Sequence, residues 1–207
     1  MRMNNNLHTY TGGLLIGALF VLSAYAAQTY TAELEELLKG YAMIGPIAYV
    51  SLAALSVILA PLNTLFLLPM ASMLWGPFWA ALLSVAGWTM GSVAAYALAR
   101  RYGKPFVAKF VNLEKVERME KRLPAHHLFW WVVAMRMVVS VDVLSYLLGL
   151  TITMSYLRYT IATLIGVTPF AFVFAYASAL PLPYMLVATA LALLATGSGA
   201  YTLLRSR

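Results

Sequence analysis

Two ionisable side chains, Arg136 and Asp142, stand in the stretch AMRMVVSVDVLSY, inside a run otherwise dominated by Val, Leu, Met, Trp and Phe. A guanidinium offers a planar fork of donors that matches phosphate or carboxylate, and a carboxylate in a dry site can take up and release a proton. Together they have the chemistry to hold an anion and to couple its movement to protons. An ionised group near a bilayer centre costs a few kcal/mol, so each must face protein, water or an opposite charge. Six residues turn a regular helix by about 240°, so the two would diverge on an unbroken rod. A break between them would let them face each other, and Ser140 with the β-branched Val138, Val139 and Val141 weakens helix preference there. The structural alternative is a buried ion pair without further role, or an Arg136 that snorkels to the interface.

The elements that must position this pair are transmembrane helices. Of 207 residues 62% are hydrophobic and only 10% charged, with a mean hydropathy of +0.80. A soluble domain of this size could not bury that much apolar surface. Most of the chain divides into apolar stretches approaching the roughly 20 helical residues that cross a hydrocarbon core. No stretch alternates with the period of a membrane barrel strand. An all-α integral membrane protein follows. Its first apolar segment, 12–30, is taken as a retained span, because AYAAQTYTAELEE gives only a weak cleavage signal.

Charge orients the spans. Eight of the fourteen basic residues lie between Arg100 and Arg122, against Glu114, Glu117 and Glu120, so this loop is expected in the cytoplasm. The loop TAELEELLKG lacks a basic excess and suits the opposite side, while Arg2, Arg205 and Arg207 place both termini in the cytoplasm. Parity then constrains the count of crossings. With spans at 12–30, 77–99, 155–178 and 183–204 and a basic loop at 100–124, segments 41–76 and 125–150 must each enter and leave on one side. The expectation is four spans plus two oppositely oriented re-entrant hairpins within a single membrane domain, the inverted-repeat plan of many transporters. Pro61, Pro69 and Asn63 mark the turn of the first hairpin. The halves echo each other: Phe78 precedes Gly87 by nine residues, as Leu157 precedes Gly166, and both halves carry a later Ala-Tyr pair, Ala95-Tyr96 and Ala175-Tyr176.

Other polar and small residues are assigned more modest roles. Gly87 and Gly91, with Gly149 and Gly166, are expected to let helices pack closely. His126 and His127 sit beside Trp130 and Trp131 at the expected interface, where amphipathic rings are favoured; a proton relay is the alternative for the two histidines. Arg100, Arg101 and Lys104 are placed to meet anionic lipid headgroups. The acidic residues outside the polar loops reduce to Asp142, there is no cysteine, and no HExxH, GxSxG or Walker pattern occurs. No catalytic residue, metal or cofactor is expected, nor a nucleic-acid partner.

The run MLWGPFWAALLSVAGWTMGSVAAYALARRYG (73–103), followed by DVLSYLLGLTITMSYLRYTIATLIGVTPFAF (142–172), resembles the DedA superfamily, also called the VTT or SNARE-associated Golgi protein domain, and within it the Tvp-type branch. The most specific pieces are LWGPFWAALLS with Gly87 and Gly91, the Tyr96-xx-Ala-Arg100-xx-Gly103 ending, and Asp142-xx-Ser145-Tyr146-xx-Gly149-Leu150-Thr151; the likeness covers about 61–176. It implies two opposed re-entrant hairpins and a role in moving lipids: polyprenyl phosphates or phospholipids, driven by the proton motive force in bacterial members, and scrambled phospholipids in eukaryotic relatives. Arg136, Asp142, Ser145 and Tyr146 would then line a polar path. Asn63 stands near a first-hairpin position where many members carry an acid, and Ser92 follows Gly91 where Asp is common. Proton coupling would therefore fall to Asp142 alone, or the protein would be uncoupled. The expected location is a bacterial cytoplasmic (inner) membrane, and the expected partners are anionic membrane lipids, with a homo-oligomer left open. A small-solute or ion transporter on the same hairpins, or a non-transporting assembly factor, remains the alternative.

Overall fold

The computed structural model describes residues 17–30, 44–59, 64–109, 128–137, 141–151 and 154–181, with a few isolated positions besides. Among these every regular element is helical. They are α1 (17–29), α2 (Ile44–Leu59), a 3-10 turn (Thr64–Leu67), α3 (Leu68–Trp75), α4 (Pro77–Val107), α5 (Leu128–Arg136), α6 (Val141–Thr151) and α7 (Tyr156–Ser178). Two of them, α4 and α7, are long and apolar enough to cross a membrane.

Local chemistry sets the boundaries. Pro69 falls in the first turn of α3, where its missing amide costs nothing; expected as a helix breaker, it starts a helix instead. Gly76, at φ 82° and ψ 155°, and Gly103, at φ 68° and ψ −162°, bound the straight part of α4. Both occupy a backbone region that only glycine enters cheaply. The span expected to stop at Ala99, where charge begins, is a helix that continues to this second glycine. Arginine is a good helix former, so Arg100 and Arg101 do not end the rod; Gly103 and Pro105 do.

The helices divide between two compact units, residues 1–45, 64–81 and 172–207, and residues 46–63 and 82–171. In the first, α1 is fastened by Ser23, whose hydroxyl donates to Phe66 O, and by Gln28, which donates to Ser178 O and Leu180 O at 3.3 and 3.1 Å. An edge-to-face pair, Phe20 with Phe174, packs beside them.

In the second unit α4 and α7 run antiparallel, as the pairs Trp88–Phe170 and Tyr96–Tyr159 require. Four glycines let other helices approach them. A Cβ at Gly87 would lie 2.6 Å from Ala53 Cβ and 2.9 Å from Val50 O, and one at Gly91 2.9 Å from Val57 Cβ, so α2 seats on α4 nearly backbone to backbone. The buried Tyr49 hydroxyl adds a 2.7 Å hydrogen bond with Ser84. Gly149 does the same for α6 against Tyr96 O and Ala99, and Gly166 for α5 against Val133 O and Arg136. All four packing glycines expected from the sequence thus sit at tight helix contacts.

Candidate functional site

Arg136 is the last residue of α5, a helix end where backbone carbonyls favour a cation. It is only 3% exposed. Its guanidinium donates to Ser145 Oγ from both Nη atoms at 3.2 Å, and its Nη2 also donates to Tyr159 Oη at 2.6 Å and Thr163 Oγ1 at 3.0 Å. Cζ lies 5.4 Å from the centroid of the Tyr159 ring, within cation–π range. All three hydroxyl residues are fully buried.

Three helices assemble this cage. Ser145 comes from the middle of α6. Tyr159 and Thr163 come from α7, four residues apart and hence on one face, with Gly166 a further turn along. The missing side chain of Gly166 is what admits the arginine stem: a Cβ there would fall 2.6 Å from Arg136 Cβ and 3.0 Å from its Cγ.

The cage continues outward through aromatic rings. The Tyr159 hydroxyl donates to Ser92 O at 3.1 Å, and its ring stacks on Tyr96 at 4.2 Å. Tyr96 meets Tyr156 edge to face at 5.3 Å and donates its hydroxyl to Met154 O at 2.5 Å. Arg100 then donates to Tyr96 Oη and Met154 O, each at 3.3 Å, with Cζ 5.2 Å over Tyr156. Two arginines 36 positions apart in sequence are thereby joined by a ladder of three tyrosines.

The residues expected at the site fare differently. Arg136 and Ser145 come together. Tyr146 is buried but turns about 100° away from its neighbour Ser145, as successive residues on a helix must. Its hydroxyl donates to the Ile58 carbonyl, one of the last-turn carbonyls of α2 that no helical amide can reach. That bond puts the two segments expected as hairpins in contact. Asp142 lies in the first turn of α6; its side chain, and Asn63, are outside the described residues. The break expected between Arg136 and Asp142 is present to this extent: one helix closes at Arg136 and the next opens at Val141. Arg101 and Lys104 are exposed. Tyr159 and Thr163 were not singled out from the sequence, although two hydroxyls and a glycine at i, i+4 and i+7 on an apolar span carry the signal.

Among the described residues no group of three or more His, Cys, Asp or Glu could hold a metal ion. The chemistry available is recognition of an anion by a guanidinium whose described hydrogen bonds go to neutral hydroxyls. A phosphate would add a second, opposite charge to such a bond and could engage the guanidinium fork in two parallel bonds.

Helical elements throughout the described residues, two of them long and apolar enough to cross a membrane, define an all-helical membrane protein in outline. The chain belongs to the VTT domain family, which matches residues 61–180, more than half its length. Members are generally DedA-family membrane proteins. Neither a curated protein nor a solved structure matches the chain significantly.

Proposed function

We propose that this protein moves an amphipathic anionic lipid, a polyprenyl phosphate or a phospholipid, across a bacterial cytoplasmic membrane. The observation that carries the reading is Arg136: a cation 3% exposed, in the apolar core, bonded to Ser145, Tyr159 and Thr163. A guanidinium confined to packing duty would be cheaper as an apolar residue of similar volume. Held by exchangeable hydroxyls, it is ready to trade them for a phosphate, in bidentate geometry.

In this mechanism the segments 41–76 and 125–150 are re-entrant, with four spans around them and both termini in the cytoplasm. A polar furrow opens between them, the phosphate replaces hydroxyls on Arg136, and the chains stay in lipid. Asp142, at the start of the neighbouring helix, changes the charge near Arg136 by taking up a proton, which links movement to a pH gradient.

The test is translocation of a fluorescent lipid in liposomes holding only the purified protein, with and without an imposed pH gradient. Arg136→Ala should abolish movement, and Arg136→Lys should lose at least about tenfold because an ammonium cannot make the planar fork. Gradient dependence lost in Asp142→Asn supports proton coupling. Full activity in Arg136→Ala at normal membrane levels refutes the assignment, and movement of a small solute or cation in place of lipid moves the reading to a solute transporter.

A further inference from the structure

On the second unit's surface α4 and α7 leave a shallow groove of about 410 Å³, lined by Thr89, Met90, Val93, Ala94 and Ala97 of one helix and Thr160 of the other. Its lining is almost wholly apolar, with Ala94 and Ala97 contributing only methyl groups to it. Both walls lead to the same polar end. Arg100 is the residue one helical turn beyond Ala97, Tyr156 is one turn beyond Thr160, and the two are in contact across the end of the groove. Lys104 stands exposed one further turn along.

From this geometry we propose that the groove is a docking site for one anionic phosphate-headed lipid, its phosphate on Arg100 and one of its chains lying between α4 and α7. Two features argue for that occupant. The groove from Thr89 to Ala97 is ~12 Å long at 1.5 Å per residue, which covers most of the ~15 Å that one leaflet contributes to a 30 Å core. Among the described residues the cation Arg100 stands one turn beyond one end of the apolar lining, so the site complements a molecule with one charged end and one apolar tail.

The tyrosine ladder gives the docked lipid a neighbour. Arg100 contacts Tyr96 and Tyr156, Tyr96 stacks on Tyr159, and Tyr159 bonds Arg136. A phosphate on Arg100 therefore sits at the outer rung of a ladder that ends at the buried arginine, and the site is where lipid waits before crossing. That last step rests on the function proposed above; occupancy of the groove does not.

The experiment uses the full-length protein in phosphatidylcholine vesicles carrying a trace of lipid with a photoactivatable group in mid-chain, as phosphatidylglycerol in one arm and phosphatidylcholine in the other. Adducts are mapped by mass spectrometry. Phosphatidylglycerol should label Met90, Val93, Ala94 or Thr160 several-fold more than phosphatidylcholine does. The preference should fall to parity in Arg100→Gln, and labelling by both lipids should drop in Ala97→Phe, which fills the groove from an outward-facing position. Equal labelling by the two lipids in the parent protein, adducts spread evenly over exposed positions such as Leu164 and Val173, or an undiminished preference in Arg100→Gln would overturn the site. Labelling is read at equilibrium, without any lipid having to cross. A protein that moves lipid but shows no groove preference refutes the docking site alone, and one that shows the preference but moves no lipid refutes the transport reading alone.

Discussion

At the scale of single residues the cage around Arg136 works as a unit. Tyr159 contributes in three ways: its oxygen accepts from Arg136, its hydrogen goes to Ser92 O, and its ring supports both the guanidinium and Tyr96. Tyr159→Phe keeps the ring and deletes both hydrogen bonds. It leaves a charged donor and a buried carbonyl short of a partner, which predicts a loss of about 1–3 kcal/mol in unfolding free energy, measured by denaturant unfolding in detergent. Thr163→Val removes a second acceptor from the same cation. The double variant should therefore depart from additivity by about 0.5 kcal/mol or more, since the two hydroxyls share one partner. Sequence alone reached half of this. An arginine in an apolar run is conspicuous because its cost is high, whereas Tyr159 and Thr163 are ordinary in a membrane helix and gain meaning only when α7 is set against α5. Tyr146 follows Ser145 in sequence, but helix geometry sends neighbours to different faces, and its bond to Ile58 O had no signal in the sequence.

At the scale of elements, glycines decide which helices touch. Gly166→Ala would drive a methyl into the stem of Arg136. The expected result is a loss of about 1–3 kcal/mol from overpacking, together with transport lost as fully as in Arg136→Ala, because the guanidinium must leave its cage. Gly103→Ala is a different lesion: nothing crowds that position closer than 3.9 Å, so its cost of about 1–3 kcal/mol comes from backbone conformation alone. Thermal unfolding of both variants beside a transport assay separates them, since only the first should abolish movement. The four close-packing glycines were legible because small residues recur at helical spacing on apolar spans. Helix ends were less so. Charge at Arg100 looked like a boundary, and Pro69 looked like a break, yet charge does not stop a helix and proline is at home in its first turn.

At the scale of the whole molecule, the absence of cysteine from all 207 positions makes topology directly measurable, because any introduced cysteine is the sole thiol. Lys121→Cys and Glu35→Cys should react with a membrane-impermeant reagent from opposite sides, and cysteines placed at Asn4 and Ser206 should behave like Lys121→Cys. Labelling of all four from one side would contradict the four-span plan. Sequence supplied that plan through charge bias and parity, and it supplied family membership through motifs; it did not supply the joints between helices. Two of those joints are the same joint. A Cβ added at Gly87 would lie 2.9 and 2.6 Å from Val50 O and Ala53 Cβ, and one at Gly166 the same distances from Val133 O and Arg136 Cβ, so position 53 carries a methyl where its counterpart carries a guanidinium. A fastening made twice lets one copy carry a buried charge while the other holds its helices with a methyl alone.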